Sequence, residues 1–287
     1  MWGGLLFFGG ISMEMTDAER RLALRARELF QRSDDVMTYS DYLTPREQRI
    51  VFDELRGDGG RLLFFGGCMG CERRRAVFLP LWLCAEGTDA PLFSKEREEH
   101  FLASLSSFGM EEELALLFSP LKISGSGYRE LSHRDFLGSL TGLGIKRIVL
   151  GDIIVKGNHA TVFCDERTVD FIISELSRAG RDKVRCERAK VDPWDFFERS
   201  FQEITQTVAS PRLDGIVRTL LSVSRDEAAA MVSRGECEIN YQIEKEPDRT
   251  VEKGDIVTVR GRGKFIIDSA EDITRRGRIR VQARKYI

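Results

Sequence analysis

Between Ser210 and Arg260 the hydrophobic period of the chain changes twice, and that pattern leaves few folds open. Leu213, Ile216, Val217, Leu220 and Leu221 recur at the spacing of one buried helical stripe, and Ser210-Pro211 just before them is a helix start. Ser224-Arg225-Asp226-Glu227 has the form of a second start, a capping box in which hydroxyl and carboxylate satisfy each other's backbone donors. Ala228, Met231 and Val232 give that helix its buried face, and Gly235 ends it. From Glu236 to Asn240 the period drops to two, with Cys237 and Ile239 inward and Asn240 at a turn. Val257 and Val259 are predicted to pair with this strand after the Lys253-Gly254-Asp255 turn. The expectation is a compact module of two short helices against a hairpin.

The cations of this module point outward. Arg212 and Arg218 lie off the apolar stripe, and Arg234 closes the second helix. Arg225 is the informative one: a cation in the first turn opposes the helix dipole, so beside free backbone N–H groups it suits a site that receives phosphate. Arg260, Arg262 and Lys264 are expected two apart on one strand face, and Arg278, Arg280 and Arg284 repeat the spacing after Arg275 and Arg276. Such rows position backbone contacts and read shape more than sequence, as structured RNA requires. The RNA-binding set is therefore Arg212, Arg218, Ser224, Arg225, Arg234, Asn240, Lys253, Arg260, Arg262, Lys264, Arg275, Arg276, Arg278 and Arg280.

Composition agrees that the charge is local. The 287 residues carry a formal net charge of −2, whereas residues 211–287 hold 16 Arg plus Lys against 13 Asp plus Glu, a local +3 that leaves −5 for the rest. Six cysteines at irregular spacings suggest no disulfide framework and favour a reducing cytoplasm. No stretch is long and apolar enough to span a membrane. The apolar, Gly-rich opening reads as an extension over residues 1–15, with Met13 or Met15 the natural initiator.

The remainder reads as small α+β domains. Thr16-Asp17-Ala18-Glu19 and Thr44-Pro45-Arg46-Glu47 are capping boxes that start helices to about Gln31 and Leu55. Leu62–Phe65 and Ala76–Leu83 read as strands, and residues 94–118 as largely helical. Ser132 caps a helix with one-face apolar spacing, followed by a hairpin around Gly157-Asn158, a helix from Glu166 to about Arg178 and a strand near Val184. That order fits a split βαββαβ-like domain. The boundaries are 16–120 for an N-terminal α+β domain, 121–190 for the middle domain, 191–209 for a connector and 210–287 for the basic domain.

Three motifs invite over-reading. Cys68-x-x-Cys71 offers half a zinc site, but no second pair stands near it, so no metal is assigned. His133-Arg134-Asp135 copies a kinase triplet, yet the Asn expected five residues later is Leu140. Gly142-x-Gly144 closes a helix instead of opening one, unlike a dinucleotide fingerprint. Arg73, Arg74, Arg75, His133, Arg134, Lys146 and Arg147 remain as a second set for RNA or ribosome contact.

Arg212-Leu213-Asp214, Ser224-Arg225, Gly235, Asn240 and Lys253-Gly254-Asp255-x-Val257 resemble the S-four RNA-binding domain, over roughly residues 210–268. Upstream, Gly66-Gly67, Glu72 to Pro80, His133 to Gly138, Leu143 to Arg147, Gly151-Asp152-Ile153 and Thr274 to Arg278 are similar to the bacterial YlmH family. That resemblance implies a three-part protein without known enzymatic activity; the chain is expected to be a monomer without cofactor or metal. It also implies binding to the ribosome, at the large subunit with tRNA, in rescue or quality control of stalled translation. The enzyme rival is pseudouridine synthase, because Arg212-Leu213-Asp214 copies the triplet that holds the nucleophile there; here Gly215-Ile216-Val217 follows, in place of Thr-Ser-Gly.

Overall fold

The computed structural model describes residues 6–8, 11–13, 15–55, 61–83, 95–195, 201–274 and 277–286. The contacts divide into two compact units, Met1–Phe197 and Glu198–Ile287. Each mixes helices with antiparallel sheet, as an α+β chain should.

The first unit opens with a short hairpin of β1 (Leu6–Phe8) and β2 (Ile11–Met13). Helices α1 (Asp17–Gln31) and α2 (Pro45–Glu54) then start where the sequence places them, each under a complete Thr–Glu capping box at Thr16 and Thr44. Between them lies β3 (Thr38–Leu43), which the sequence reading did not anticipate. It joins β4 (Leu62–Phe65) and β5 (Arg74–Phe78) in the order β3-β5-β4. Both faces of this sheet are covered. Leu62, Phe64, Ala76 and Phe78 pack with Ala26, Val51 and Leu55 of α1 and α2, while Leu63, Phe65 and Val77 pack with Phe101, Leu102, Leu105 and Leu114 of α3 (Lys95–Ser107) and α4 (Glu111–Leu117). A strand buried on two sides needs apolar residues at every position, which is why Leu62–Phe65 reads as a run without alternation.

The second sheet of this unit is built from β6 (Ser119–Gly125), α5 (His133–Gly142), β7 (Leu150–Lys156), β8 (His159–Cys164), α6 (Glu166–Glu175), β9 (Arg178–Ala179) and β10 (Asp182–Arg188). Its strands lie in the order β7-β8-β6-β10-β9. Leu121, Ile123, Ala160 and Val162 on one face pack with Phe136 and Leu140 of α5 and Val169 and Ile172 of α6. On the opposite face Ile154 and Phe163 enter the core that holds Tyr42, Phe65 and Phe118. The sequence boundary at 120/121 thus falls within one compact unit.

Gly67 makes this close packing feasible. It has φ +111°, and a Cβ there would lie 2.3 Å from Phe163 Cδ1. Gly144 shares a positive φ of +83° but has nothing within 4 Å of its Cβ position. Gly67→Ala should therefore lower stability by roughly 2–4 kcal/mol, from overpacking plus backbone strain, and Gly144→Ala by about 1 kcal/mol from strain alone. Thermal unfolding of the two variants checks the order.

The second unit is a six-stranded antiparallel sheet with two helices. β11 (Phe201–Val208), β12 (Cys237–Ile239), β13 (Gln242–Glu244), β14 (Ile256–Val259), β15 (Gly263–Ile273) and β16 (Ile279–Tyr286) stand in the order β11-β16-β15-β14-β12-β13. Helices α7 (Leu213–Leu221) and α8 (Arg225–Ser233) bury Leu213, Ile216, Val217, Ala228, Met231 and Val232 with Val257, Val259, Ile267 and Val281 of the sheet. The expected pairing of Cys237 with Val259 and Ile239 with Val257 is formed.

Two details differ from the sequence reading. Helix α7 begins at Leu213, not at Ser210-Pro211, because Arg212 bridges Thr250 and the first free N–H groups, those of Leu213 and Asp214, donate to the carbonyls of Arg249 and Pro247. Neighbouring backbone does the work that a side-chain cap does elsewhere. Next, Asn240-Tyr241 is the two-residue turn of a β12–β13 hairpin, both residues having positive φ at 50° and 66°. Asn tolerates that conformation, whereas Tyr adopts it at a cost of about 1–2 kcal/mol; with Tyr in place of Gly the usual Asn-Gly signal is missing.

Candidate nucleic-acid interface

The geometry of the second unit centres on Asp214. Its side chain is 5% exposed and sits in the first turn of α7. Oδ1 accepts from the Gly215 N–H at 2.8 Å and from Arg212 Nε at 3.3 Å, and Oδ2 accepts from Arg225 Nε at 3.2 Å. One buried carboxylate thus holds two arginines by their inner nitrogens. Arg212 remains 40% exposed and Arg225 67%. A guanidinium bound through Nε keeps its terminal nitrogens available, and a fork of donors fixed in this way matches phosphate with little ordering cost. The pair of partners also explains how α8 carries a cation in its first turn: Asp214 sits against it, and Asp226 and Glu227 follow it.

The clamping role of Asp214 is what sequence reasoning missed, having weighed the residue only within the Arg212-Leu213-Asp214 motif. An acid inside a stripe otherwise buried and apolar was the available signal. Its position also bears on the pseudouridine synthase reading, since its oxygens are engaged by Arg212, Gly215 and Arg225.

Other residues of the expected set fall into three groups. Arg218, Lys253, Arg260, Arg262, Arg278 and Arg280 are exposed. Ser224, Arg234 and Asn240 have structural work: Ser224 Oγ accepts from the Glu227 N–H as the hydroxyl half of a cap, Arg234 pairs with Glu236 at 2.7 Å, and Asn240 bonds both Asp255 and the Ile256 N–H to close its turn. Arg275 and Arg276 lie outside the described residues.

The expected row Arg260–Arg262–Lys264 is corrected. Arg260 and Arg262 belong to the turn between β14 and β15, where Gly261 has φ +72°, and only Lys264 is on the strand. The Gly261-Arg262-Gly263 sequence reverses the chain before the alternation can continue. Lys264 Nζ lies 4.6 Å from the ring centres of both Tyr241 and Tyr286, and it donates to Tyr241 Oη at 2.9 Å. Arg284, expected to seek an outside anion, is bound to Asp268 by both oxygens and stacks over Phe201 at 4.9 Å.

In the first unit the arginines of the 66–75 loop are turned inward. Arg75 is 1% exposed, donates to Asp165 at 2.8 Å and lies 4.6 and 4.9 Å from the rings of Tyr42 and Tyr39. Arg74 pairs with buried Glu98 at 3.0 Å. Arg73 donates to the carbonyls of Leu150, Tyr42 and Arg147, and the backbone N–H groups of Glu72 and Arg73 both donate to Asp152. Arg147 donates to the carbonyls of Leu150 and Gly151, and burial beside Arg73 pulls its pKa down to about 10. These four cations are spent on internal carbonyls and acids, so they are withdrawn as phosphate contacts. His133, Arg134 and Lys146 are exposed around α5. Cys68 and Cys71 stand 3.5 Å apart with both thiols buried, and the hydrogen bond with Cys68, then burial, pushes the Cys71 thiol well up.

Comparison with known proteins adds a second location. The family model described as a putative RNA-binding domain in YlmH matches residues 121–193, the five-stranded sheet of the first unit. Over 248 residues the chain is 26% identical to "Ribosome-associated protein quality control protein P2" of Bacillus subtilis (strain 168), covering 85% of this chain and 86% of that protein. Among solved structures it is similar to "Cell division protein ylmH from Streptococcus pneumoniae", with 18% identity, a TM-score of 0.42, and coverage of 63% of this chain and 96% of that one. The resemblance read from the sequence motifs is borne out, although the matched RNA-binding region is the middle segment and not the basic C-terminal one. Over most of its length the chain is similar to that Bacillus protein, and over residues 121–193 it matches the family model of the YlmH RNA-binding domain.

Proposed function

We propose that this chain is a non-catalytic RNA-binding protein of the ribosome. It grips folded ribosomal RNA or tRNA with the Arg212–Asp214–Arg225 cluster of its second unit, at the large subunit, in quality control or rescue of stalled translation. It acts as a monomer in the cytoplasm. The second unit is read as an S-four-like module with a basic C-terminal strand, and the five-stranded sheet with α5 and α6 as a split βαββαβ domain that takes part in RNA contact.

One observation carries this reading: a buried carboxylate holds two guanidinium groups, 40% and 67% exposed, at the starts of α7 and α8. The family match to an RNA-binding domain and the name of the Bacillus relative support the partner class. Among the described residues no group of three or more His, Cys, Asp or Glu is placed to hold a metal ion.

Sedimentation of the purified chain with ribosomes over a salt series tests it. Phosphate contacts release counterions, so the logarithm of affinity should fall linearly with the logarithm of salt, at roughly 0.7–0.9 per contact. Binding indifferent to salt would contradict the reading. Mass mapping of ribosomal and transfer RNA in a deletion strain addresses the enzyme class: an unchanged modification pattern is expected, and a lost pseudouridine would overturn the non-catalytic assignment.

A further inference from the structure

We propose that an exposed apolar patch of the first unit, formed by Val36, Leu81, Trp82 and Phe108, docks a protein of the ribosome through an apolar segment flanked by lysine and arginine. This rests on the reading of the chain as a ribosome-binding protein, and it adds a protein contact to the RNA contacts of that reading.

These four side chains are each more than half exposed, and contacts between distant segments bring them together. Helix α1 ends at Gln31, and the turn after it offers two carbonyls to the short 3₁₀ helix Leu81–Leu83. The Asp34 carbonyl accepts from the Leu81 N–H at 3.1 Å, and the Asp35 carbonyl accepts from Trp82 Nε1 at 3.1 Å. Val36 follows directly. On the other side the ring of Phe108, one residue past α3, stands edge-to-face with Trp82, the centroids 5.6 Å apart. These contacts fix the rings before a partner arrives, which lowers the ordering cost of binding. They also use the single donor of the indole, so Trp82 offers an apolar ring outward. Single exposed apolar residues are ordinary, whereas a contiguous group built on Trp and Phe has the composition of an interface centre.

The charges around the patch select the partner. Asp34 and Asp35 are exposed beside Leu81 and Trp82, and Glu112 and Glu113 are exposed in the first turn of α4. The five residues from Phe108 to Glu113 reach at most about 18 Å, so these two acids stay near the Phe108 end. Arg61 is largely buried and pairs with Asp34 at 2.9 Å. Among the described residues of 31–37, 79–83 and 104–113, Arg32 is the one exposed cation. A surface that stacks bases sets its rings among cations that track the phosphates, and acids at the rim repel those phosphates. The same acids attract lysine and arginine, and a matched rim fixes the register of a protein partner. Apolar side chains on the four-residue centre with basic ones over the rim are therefore the chemistry that fits.

Co-sedimentation of the full chain with purified ribosomes tests the assignment. Trp82→Ser with Phe108→Ser should weaken binding at least about tenfold, as the loss of interface anchors does. Asp35→Lys separates the two classes of partner, and its exposed side chain leaves thermal melting like that of the parent chain. Against a basic protein the reversal should weaken binding roughly threefold or more, whereas RNA over this face would make it strengthen binding. With Val36 replaced by photoreactive benzoylphenylalanine, the crosslink should fall on a ribosomal protein, in an apolar segment with lysine or arginine beside it. Should the double variant melt early, Asp35→Lys and the crosslink decide. Binding by Asp35→Lys that is unchanged or stronger, or crosslinks to RNA or to a second copy of the chain, overturns the inference. If the parent chain binds ribosomes in a salt-dependent way and the folded variants match it, this inference falls alone. If the parent chain does not bind ribosomes, both readings fall.

Discussion

Asp165→Ala should lower the stability of the first unit by about 3–5 kcal/mol, the range for stranding one member of a buried ion pair. Asp165 is the N-cap of α6 and accepts from the Arg167 N–H, so the variant also loses a cap. The larger part is Arg75. Its guanidinium, 1% exposed, would be left between two tyrosine rings without its 2.8 Å carboxylate partner. Arg75→Met in the same background should recover part of the loss, because removing both charges is cheaper than leaving one unpaired. Chemical denaturation of the single and double variants measures the difference.

The same pair has a pH signature. Hydrogen bonds from Arg167, and then from Arg75, hold the Asp165 carboxyl well below the usual carboxylate range, outweighing burial, which pushes the other way. A carboxylate depressed in the folded state contributes stability above its ordinary pKa of about 3.9, and that contribution is lost as pH falls below it. The deficit of Asp165→Ala should therefore be full at neutral pH and shrink in acid.

Much of this architecture was legible in the chain. Capping boxes at Thr16, Thr44 and Ser132 announced three helices, and the period of Leu213 to Leu221 announced α7. These signals are local, so no tertiary knowledge was needed. What stayed hidden depends on distant partners. Strand β3 carries the polar Thr38, Ser40 and Asp41 and becomes a strand by pairing with β5. Arg73 and Arg75 look like exposed loop cations until Asp152, Asp165 and the carbonyls around Leu150 surround them. Asp214 and Arg225 are 11 residues apart in sequence, and nothing in the spacing says that one clamps the other. The basic row at 260–264 failed for a local reason: glycines on both sides of Arg262 allow the chain to reverse.

The second large effect belongs to that clamp. Replacing Arg212 and Arg225 together by Ala removes both exposed guanidinium groups, but it also leaves the Asp214 carboxylate buried without them. Asp214→Asn in the same background removes the stranded charge, so that a loss of binding can be separated from a loss of fold. Asp214→Asn with both arginines kept should weaken RNA binding less, since the contacts survive and only their placement loosens.

Co-sedimentation of the Arg212→Ala, Asp214→Asn, Arg225→Ala variant with ribosomes at several salt concentrations tests the central claim most directly. The variant, folded as judged by circular dichroism, should bind at least about tenfold more weakly at moderate salt, and the salt slope should shrink by roughly 2, near one unit per lost phosphate contact. A folded variant that sediments with ribosomes like the parent chain at moderate salt, with an unchanged slope, would contradict it.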